Sequence, residues 1–170
     1  TTERVVSVRL DLNAPTESAG AVARPLNLAL VIDKSGSMSG QKIETAKAAA
    51  ARVVDRLADG DTFTLVAFSD EAEVLVPACR VGEQRKDIAA RISRLGPESA
   101  THLAKGMRTA ADQIGAHCRE GVASSMFILT DGEAQDQVEC LGLAPGIVQR
   151  GISIYAGGIG EQYDHAFLER

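Results

Sequence analysis

Five apolar residues in succession, Leu28-Ala29-Leu30-Val31-Ile32, run without a break into Asp33 and then into the small polar stretch Lys34-Ser35-Gly36-Ser37. A strand that is apolar at every position, not every second one, has both faces buried. Sheets covered on both faces are characteristically parallel and flanked by helices. Downstream, Ile43, Ala46, Ala50, Val53, Val54 and Leu57 recur at the spacing of a single helical stripe. Residues 26–47 therefore read as a strand, a loop and the start of a helix. The loop carries one carboxylate, Asp33, and two hydroxyls, Ser35 and Ser37, at alternate positions. In open α/β sheets the carboxyl edge of the strands is where ligands bind.

The rest of the chain repeats this alternation. Residues 62–68 form a β-branched and aromatic strand, and Ser69-Asp70-Glu71 turns it into a second strand at 72–77, a hairpin. A short amphipathic helix is predicted over 84–95, and a second one carries Leu103, Met107, Ala110, Ala111 and Ile114 on one face. Met126-Phe127-Ile128-Leu129-Thr130 is another buried run, ending in Asp131-Gly132. A weaker helical stretch over 137–150 is interrupted by Pro145 and Gly146, and Ile152-Ser153-Ile154-Tyr155-Ala156 is a third core strand. The glycines of 157–160 lack any phosphate-loop pattern and read as a turn. At the ends, 5–12 alternates like a half-buried edge strand, 13–25 is a loop, and a last helix begins near Tyr163. The predicted fold is α/β: a doubly wound, mostly parallel central sheet with one antiparallel edge hairpin and helices on both faces. It is expected to be a single domain over 1–170, with 1–25 an N-terminal strand and loop and 26–170 the core.

Composition narrows the function. Hydrophobic residues make up 45% of the 170, but aromatics only 4%, so the core must be built of Val, Ile, Leu and Ala. A net charge of −5 without a Lys/Arg run argues against a nucleic-acid or anionic-membrane partner. No apolar segment reaches transmembrane length, and no stretch of these residues reads as a signal peptide, which for a fragment says little about the parent protein. Cys79, Cys118 and Cys140 are far apart, odd in number and free of any CxxC pattern. They read as free thiols, which favours a reducing, cytoplasmic setting over the cell surface. The chain starts at Thr1 and stops at Arg170 inside a predicted helix, and is read as a fragment of a longer protein.

Three segments deliver oxygen donors to one rim of this sheet: Asp33, Ser35 and Ser37 first, then Thr101 with Ser99 nearby, then Asp131. Taken singly, each has an ordinary duty. Asp and Ser cap helices, Thr101 can cap the Leu103 helix, and Asp131-Gly132 is a common turn pair. Together, two carboxylates and three hydroxyls can complete a six-coordinate oxygen site with water. Hard ligands without Cys or His suit Mg²⁺ or a similar cation, not zinc. Two acidic groups leave the ion a good Lewis acid with a position open to an outside carboxylate. The other candidates are bland: Lys34 reads as a solvated surface residue, His102 as a surface histidine, and His117 and His165 have no motif around them.

With these residues in order, the chain resembles a von Willebrand factor type A domain from about residue 26 to 170, and among that family a bacterial member. The resemblance is carried by Asp33-Lys34-Ser35-Gly36-Ser37 after the first core strand, by Thr101 within Ala100-Thr101-His102-Leu103, and by Asp131 within Thr130-Asp131-Gly132. It implies an intact metal-ion-dependent adhesion site. Ser35, Ser37 and Thr101 would offer hydroxyl oxygens, and Asp33 and Asp131 would bind directly or through water. The ion would be Mg²⁺, Mn²⁺ or Ca²⁺. It also implies an adhesion-like, non-enzymatic protein-binding module whose partner presents an Asp or Glu carboxylate. Two alternatives stand beside it. One is a metal-assisted phosphohydrolase, weakened because Ser35 stands where the acid–base Asp of the haloacid-dehalogenase type belongs. The other is an accessory subunit of an ATPase or chelatase-type assembly.

Overall fold

Each apolar run of the sequence becomes a strand with helices on both of its sides. In the computed structural model, which describes residues 24–98, 100–132 and 134–160, the first half of the chain runs β1 (Leu26–Asp33), α1 (Gln41–Arg56), β2 (Thr62–Phe68), β3 (Ala72–Arg80) and α2 (Val81–Ser93). The second half runs α3 (Leu103–Gly115), β4 (Ala123–Thr130), α4 (Gln137–Gln149) and β5 (Ile152–Gly158). The strand predicted over 5–12 and the helix predicted from Tyr163 lie outside the described residues. Among the described residues no helix is long and apolar enough to cross a membrane.

The sheet order is β3-β2-β1-β4-β5. β1 pairs in parallel with β2 and with β4, β4 pairs in parallel with β5, and only β2–β3 is antiparallel. Alternate residues of β1 serve opposite layers. Leu28, Leu30 and Ile32 pack with the stripe of α1 (Ile43, Ala46, Ala50, Val54) and with Ile88 and Ile92 of α2. Ala29 and Val31 pack with Leu103, Met107, Ala110 and Ile114 of α3, and with Cys140 and Ile147 of α4. The doubly wound sheet with its antiparallel edge hairpin is thus observed, and residues 28–32 of β1 are apolar at every position because neither face of the strand meets water.

Three strands differ from expectation in their extent. β3 continues through Pro77 to Arg80; it is an edge strand, where a missing backbone donor is tolerated. The register slips between Phe63 and Leu65, opposite this proline, and the Ala78 N–H turns to the Gln113 side chain at 3.3 Å. β4 starts at Ala123, because Ser124 is held against Asn27 of β1 by a side-chain hydrogen bond of 3.1 Å. The glycine run is not simply a turn: Gly157 and Gly158 are the end of β5. A Cβ on Gly157 would lie 3.1 Å from the Phe127 ring and 3.2 Å from Leu129, so a larger residue there would have to push these side chains aside. Cys79, Cys118 and Cys140 are all free thiols.

Candidate metal centre

The strand order reverses at β1. The chain moves outward from β1 to β2 and β3, then returns to place β4 on the other side. At such a switch point the loops leaving two adjacent strands diverge to opposite faces, and a crevice opens between their carboxyl ends. Asp33 ends β1, and Asp131 follows the last residue of β4. Both side chains are buried. The two carboxylates of the predicted site are therefore neighbours across one strand pair.

Local hydrogen bonds fix the first of them. The Ser35 N–H donates to Asp33 Oδ1 at 2.8 Å, and the Thr130 hydroxyl donates to Asp33 Oδ2 at 2.7 Å. The Gly132 N–H in turn donates to Thr130 Oγ1 at 3.0 Å. Ser35 and Ser37 bring their hydroxyl oxygens to 3.0 Å of each other, so the alternate spacing does place them together. Asp131 Oδ2 accepts from the Lys42 ammonium at 2.9 Å. Among the described residues no three His, Cys, Asp or Glu side chains converge on a metal-sized space; the donors beside these carboxylates are hydroxyls.

Thr101 belongs to the second loop, and its ordinary duty as a helix cap is already filled. The N–H groups of Leu103 and Ala104 are taken by Asp136 Oδ1 and Oδ2, at 3.1 and 2.8 Å. Asp136 lies at the start of α4, so a carboxylate from the third segment caps the helix of the second. The Gln135 N–H also donates to the Thr101 carbonyl, at 3.4 Å. Thr101 itself is buried. Ser99 lies outside the described residues.

Lys34 corrects its reading as a solvated surface residue: it is 8% exposed. Its ammonium pairs with Glu98 at 2.7 Å and Glu73 at 3.4 Å, and Glu98 also accepts from the Ser69 hydroxyl at 2.7 Å. The bonds from Lys34 and Ser69 hold the Glu98 carboxyl below its usual range. The Glu98 N–H donates to the Lys34 carbonyl, and the Lys34 N–H to the Phe68 carbonyl. Lys34 thus ties the Asp33 loop to the end of β2 and to the segment leading into Thr101. His102 sits at the N-cap of α3 without a side-chain capping bond, its ring 4.0 Å from Asp70.

Sequence reasoning missed Lys42, Thr130, Glu98 and Asp136. Only Thr130 had a signal, its place beside Asp131 at the end of a buried strand.

Burial pushes the Asp33 carboxyl above its ordinary value of 3.8; the bonds from Ser35 and Thr130 pull it back by less, and the Asp131 charge adds a small upward push. An acid with a raised folded pKa holds its proton better folded than unfolded. It therefore costs stability as pH rises from the unfolded value through the folded one. In the presence of chelator, the stability of the wild type relative to Asp33→Asn is expected to fall as pH is raised from about 4, and then to level off. Urea titrations of the two proteins at several pH values measure this; a gap that widens in the wild type's favour with rising pH would contradict it.

The von Willebrand factor type A domain model matches residues 27–170, nearly the whole chain. The chain belongs to the von Willebrand factor type A family. Over 147 residues it is 35% identical to the uncharacterized protein sll0103 of Synechocystis, covering 85% of this chain and 34% of that one. It is 32% identical over 170 residues to human inter-alpha-trypsin inhibitor heavy chain H4, covering 89% of this chain and 17% of that protein. The chain thus spans about a third or less of these relatives. Among solved structures, a von Willebrand factor type A protein from Catenulispora acidiphila superposes with a TM-score of 0.72 at 26% identity, over 86% of this chain and 36% of that one.

Proposed function

We propose that this von Willebrand factor type A domain is a divalent-cation-dependent protein-binding module. Asp33, Ser35, Ser37, Thr101 and Asp131 would hold Mg²⁺, or Mn²⁺ or Ca²⁺ in its place. When bound, the ion supplies a Lewis-acid position that an Asp or Glu carboxylate of a partner protein can fill. The observation that carries this reading is the burial of Asp33 and Asp131 at the ends of two adjacent parallel strands, with the Ser35 and Ser37 hydroxyls together beside Asp33. Burial makes the Asp33 charge costly without a cation beside it, and an all-oxygen donor set fits a hard one. Lys34, Glu98 and Asp136 serve by holding the three loops in register. Relatives such as the inter-alpha-trypsin inhibitor heavy chain place the same domain within much longer proteins, which fits a module that recruits other chains.

Calorimetric titration with Mg²⁺ and Mn²⁺ tests the reading. Saturable binding is expected in the wild type and is expected to vanish in Asp33→Ala and in Asp131→Ala, with far-ultraviolet circular dichroism unchanged. Saturating metal should also stabilise the wild type, by about 2.7 kcal/mol at a hundredfold excess over Kd. Added acetate or glutamate should tighten the ion's binding if the open position accepts a carboxylate. Undiminished binding in both Asp variants would sink the assignment.

A further inference from the structure

The Lys42 side chain lies where the metal reading needs an explanation. It belongs to the first turn of α1, and its ammonium bonds Asp131 Oδ2 at 2.9 Å. The two partners are unequal: the Asp131 side chain is 1% exposed and the Lys42 side chain 33%. The carboxylate is closed off from solvent, and about a third of the Lys42 side chain is open to it. The stem of Lys42 is also led to this place. It crosses Gly160, after β5, where a Cβ would lie 3.0 Å from Lys42 Cε and 3.7 Å from Cδ, and where φ is +102°. A side chain on residue 160 would obstruct this path. The other lysines nearby do different work, Lys47 pairing with Glu44 along α1 and Lys34 facing Glu98 and Glu73.

We propose that Lys42 is a tethered counter-cation of the metal centre: it holds Asp131 while no divalent ion is bound, gives way when one binds, and so sets how tightly the ion is held. This rests on the metal-binding reading above. An ammonium and a divalent ion drawn to one carboxylate repel each other, so the ion must displace the lysine or share the acid with it. Without its own ion the domain is left with a paired carboxylate, not two repelling ones. The affinity of the centre is then tuned by a residue that is not one of its ligands.

The experiment compares the wild type, Lys42→Met, Lys42→Arg and Asp33→Ala by calorimetry with Mg²⁺ and with Mn²⁺, and by thermal unfolding in chelator and in excess Mg²⁺. Lys42→Met is expected to bind about tenfold tighter or more, the scale of a lost charge-assisted bond. It should melt lower than the wild type in chelator and gain more from Mg²⁺, and Lys42→Arg should stay near the wild type. A silent wild type beside a Lys42→Met that binds would support the proposal as well. Equal or weaker binding in Lys42→Met, with wild-type binding saturable and lost in Asp33→Ala, would overturn the proposal and leave the metal centre standing; Lys42 would then only orient Asp131. Absence of binding in both overturns the two together. Should Lys42→Met fail to fold, Lys42→Gln carries the same expectations.

Discussion

Truncating Phe68 to alanine is expected to destabilise the domain by about 3–5 kcal/mol, the range for removing a fully buried aromatic side chain. Phe68 ends β2 and is 0% exposed. It packs in the layer of Val31, Leu103 and Met107, and α3 comes so close that a Cβ on Gly106 would sit 3.0 Å from its ring. That closeness leaves little freedom for α3 to settle into the vacated space, because its first turn is pinned through Asp136 and its loop through Lys34. The cost should therefore lie toward the upper end, lowering the melting temperature by about 10 °C or more. Thermal and urea unfolding measure it. Val138, 86% exposed, is the control: Val138→Ala should stay within about 0.5 kcal/mol of the wild type. Equal effects at the two positions would contradict the packing described.

Removing the Asp136 carboxylate is the second large effect. Asp136→Ala strips two part-buried N–H groups, those of Leu103 and Ala104, of their acceptor, and takes a negative charge from the positive end of α3. A single lost cap costs about 1 kcal/mol; two bonds to one charged group should cost about 2–3 kcal/mol. Asp136→Asn keeps one acceptor oxygen and should fall between. The functional consequence is larger than the energy alone, since Thr101 stands just ahead of this turn. Mg²⁺ affinity should drop in Asp136→Ala even though Asp136 is no ligand in this reading. A second readout is the Cys140 thiol, pushed up to about 12 by burial first and then by the Asp136 charge. Its titration, followed by thiolate absorbance, should move down in the alanine variant. An unchanged Cys140 together with unchanged metal affinity would mean that Asp136 does no more than cap.

The architecture was legible because the signals were local. The apolar run at the centre of β1, an α1 stripe at helical spacing, and a two-strand hairpin around Ser69-Asp70-Glu71 each declare themselves within a short stretch of chain. The order of Asp33, Ser35, Ser37, Thr101 and Asp131 was readable for the same reason, each standing at the end of a recognisable element. What could not be read depended on partners far along the chain. Lys34 looks like a loop lysine until Glu98, 64 positions away, is brought to it. Asp136 looks like a helix start of its own, yet it serves α3. Lys42 is one more polar residue at the head of a helix until β4 delivers Asp131. Pro77 and the pair Gly157-Gly158 misled because strand limits depend on sheet context: an edge tolerates proline, and a crowded crossing favours glycine.

The adjacency of Asp33 and Asp131 also bears on how the domain comes to be folded. The bond from Thr130 to Asp33 joins residues 97 positions apart, across a strand pair that cannot form until the hairpin, α2 and α3 have been laid down between them. Closing so long a loop is entropically slow, and parallel pairings of this kind come late. No chain lacking β4 can present both carboxylates, so cation binding at these residues would report completion of the central pairing, not the gathering of early structure. For a chain emerging from the ribosome, the ability to engage a partner would arrive all at once, after most of the domain has been made.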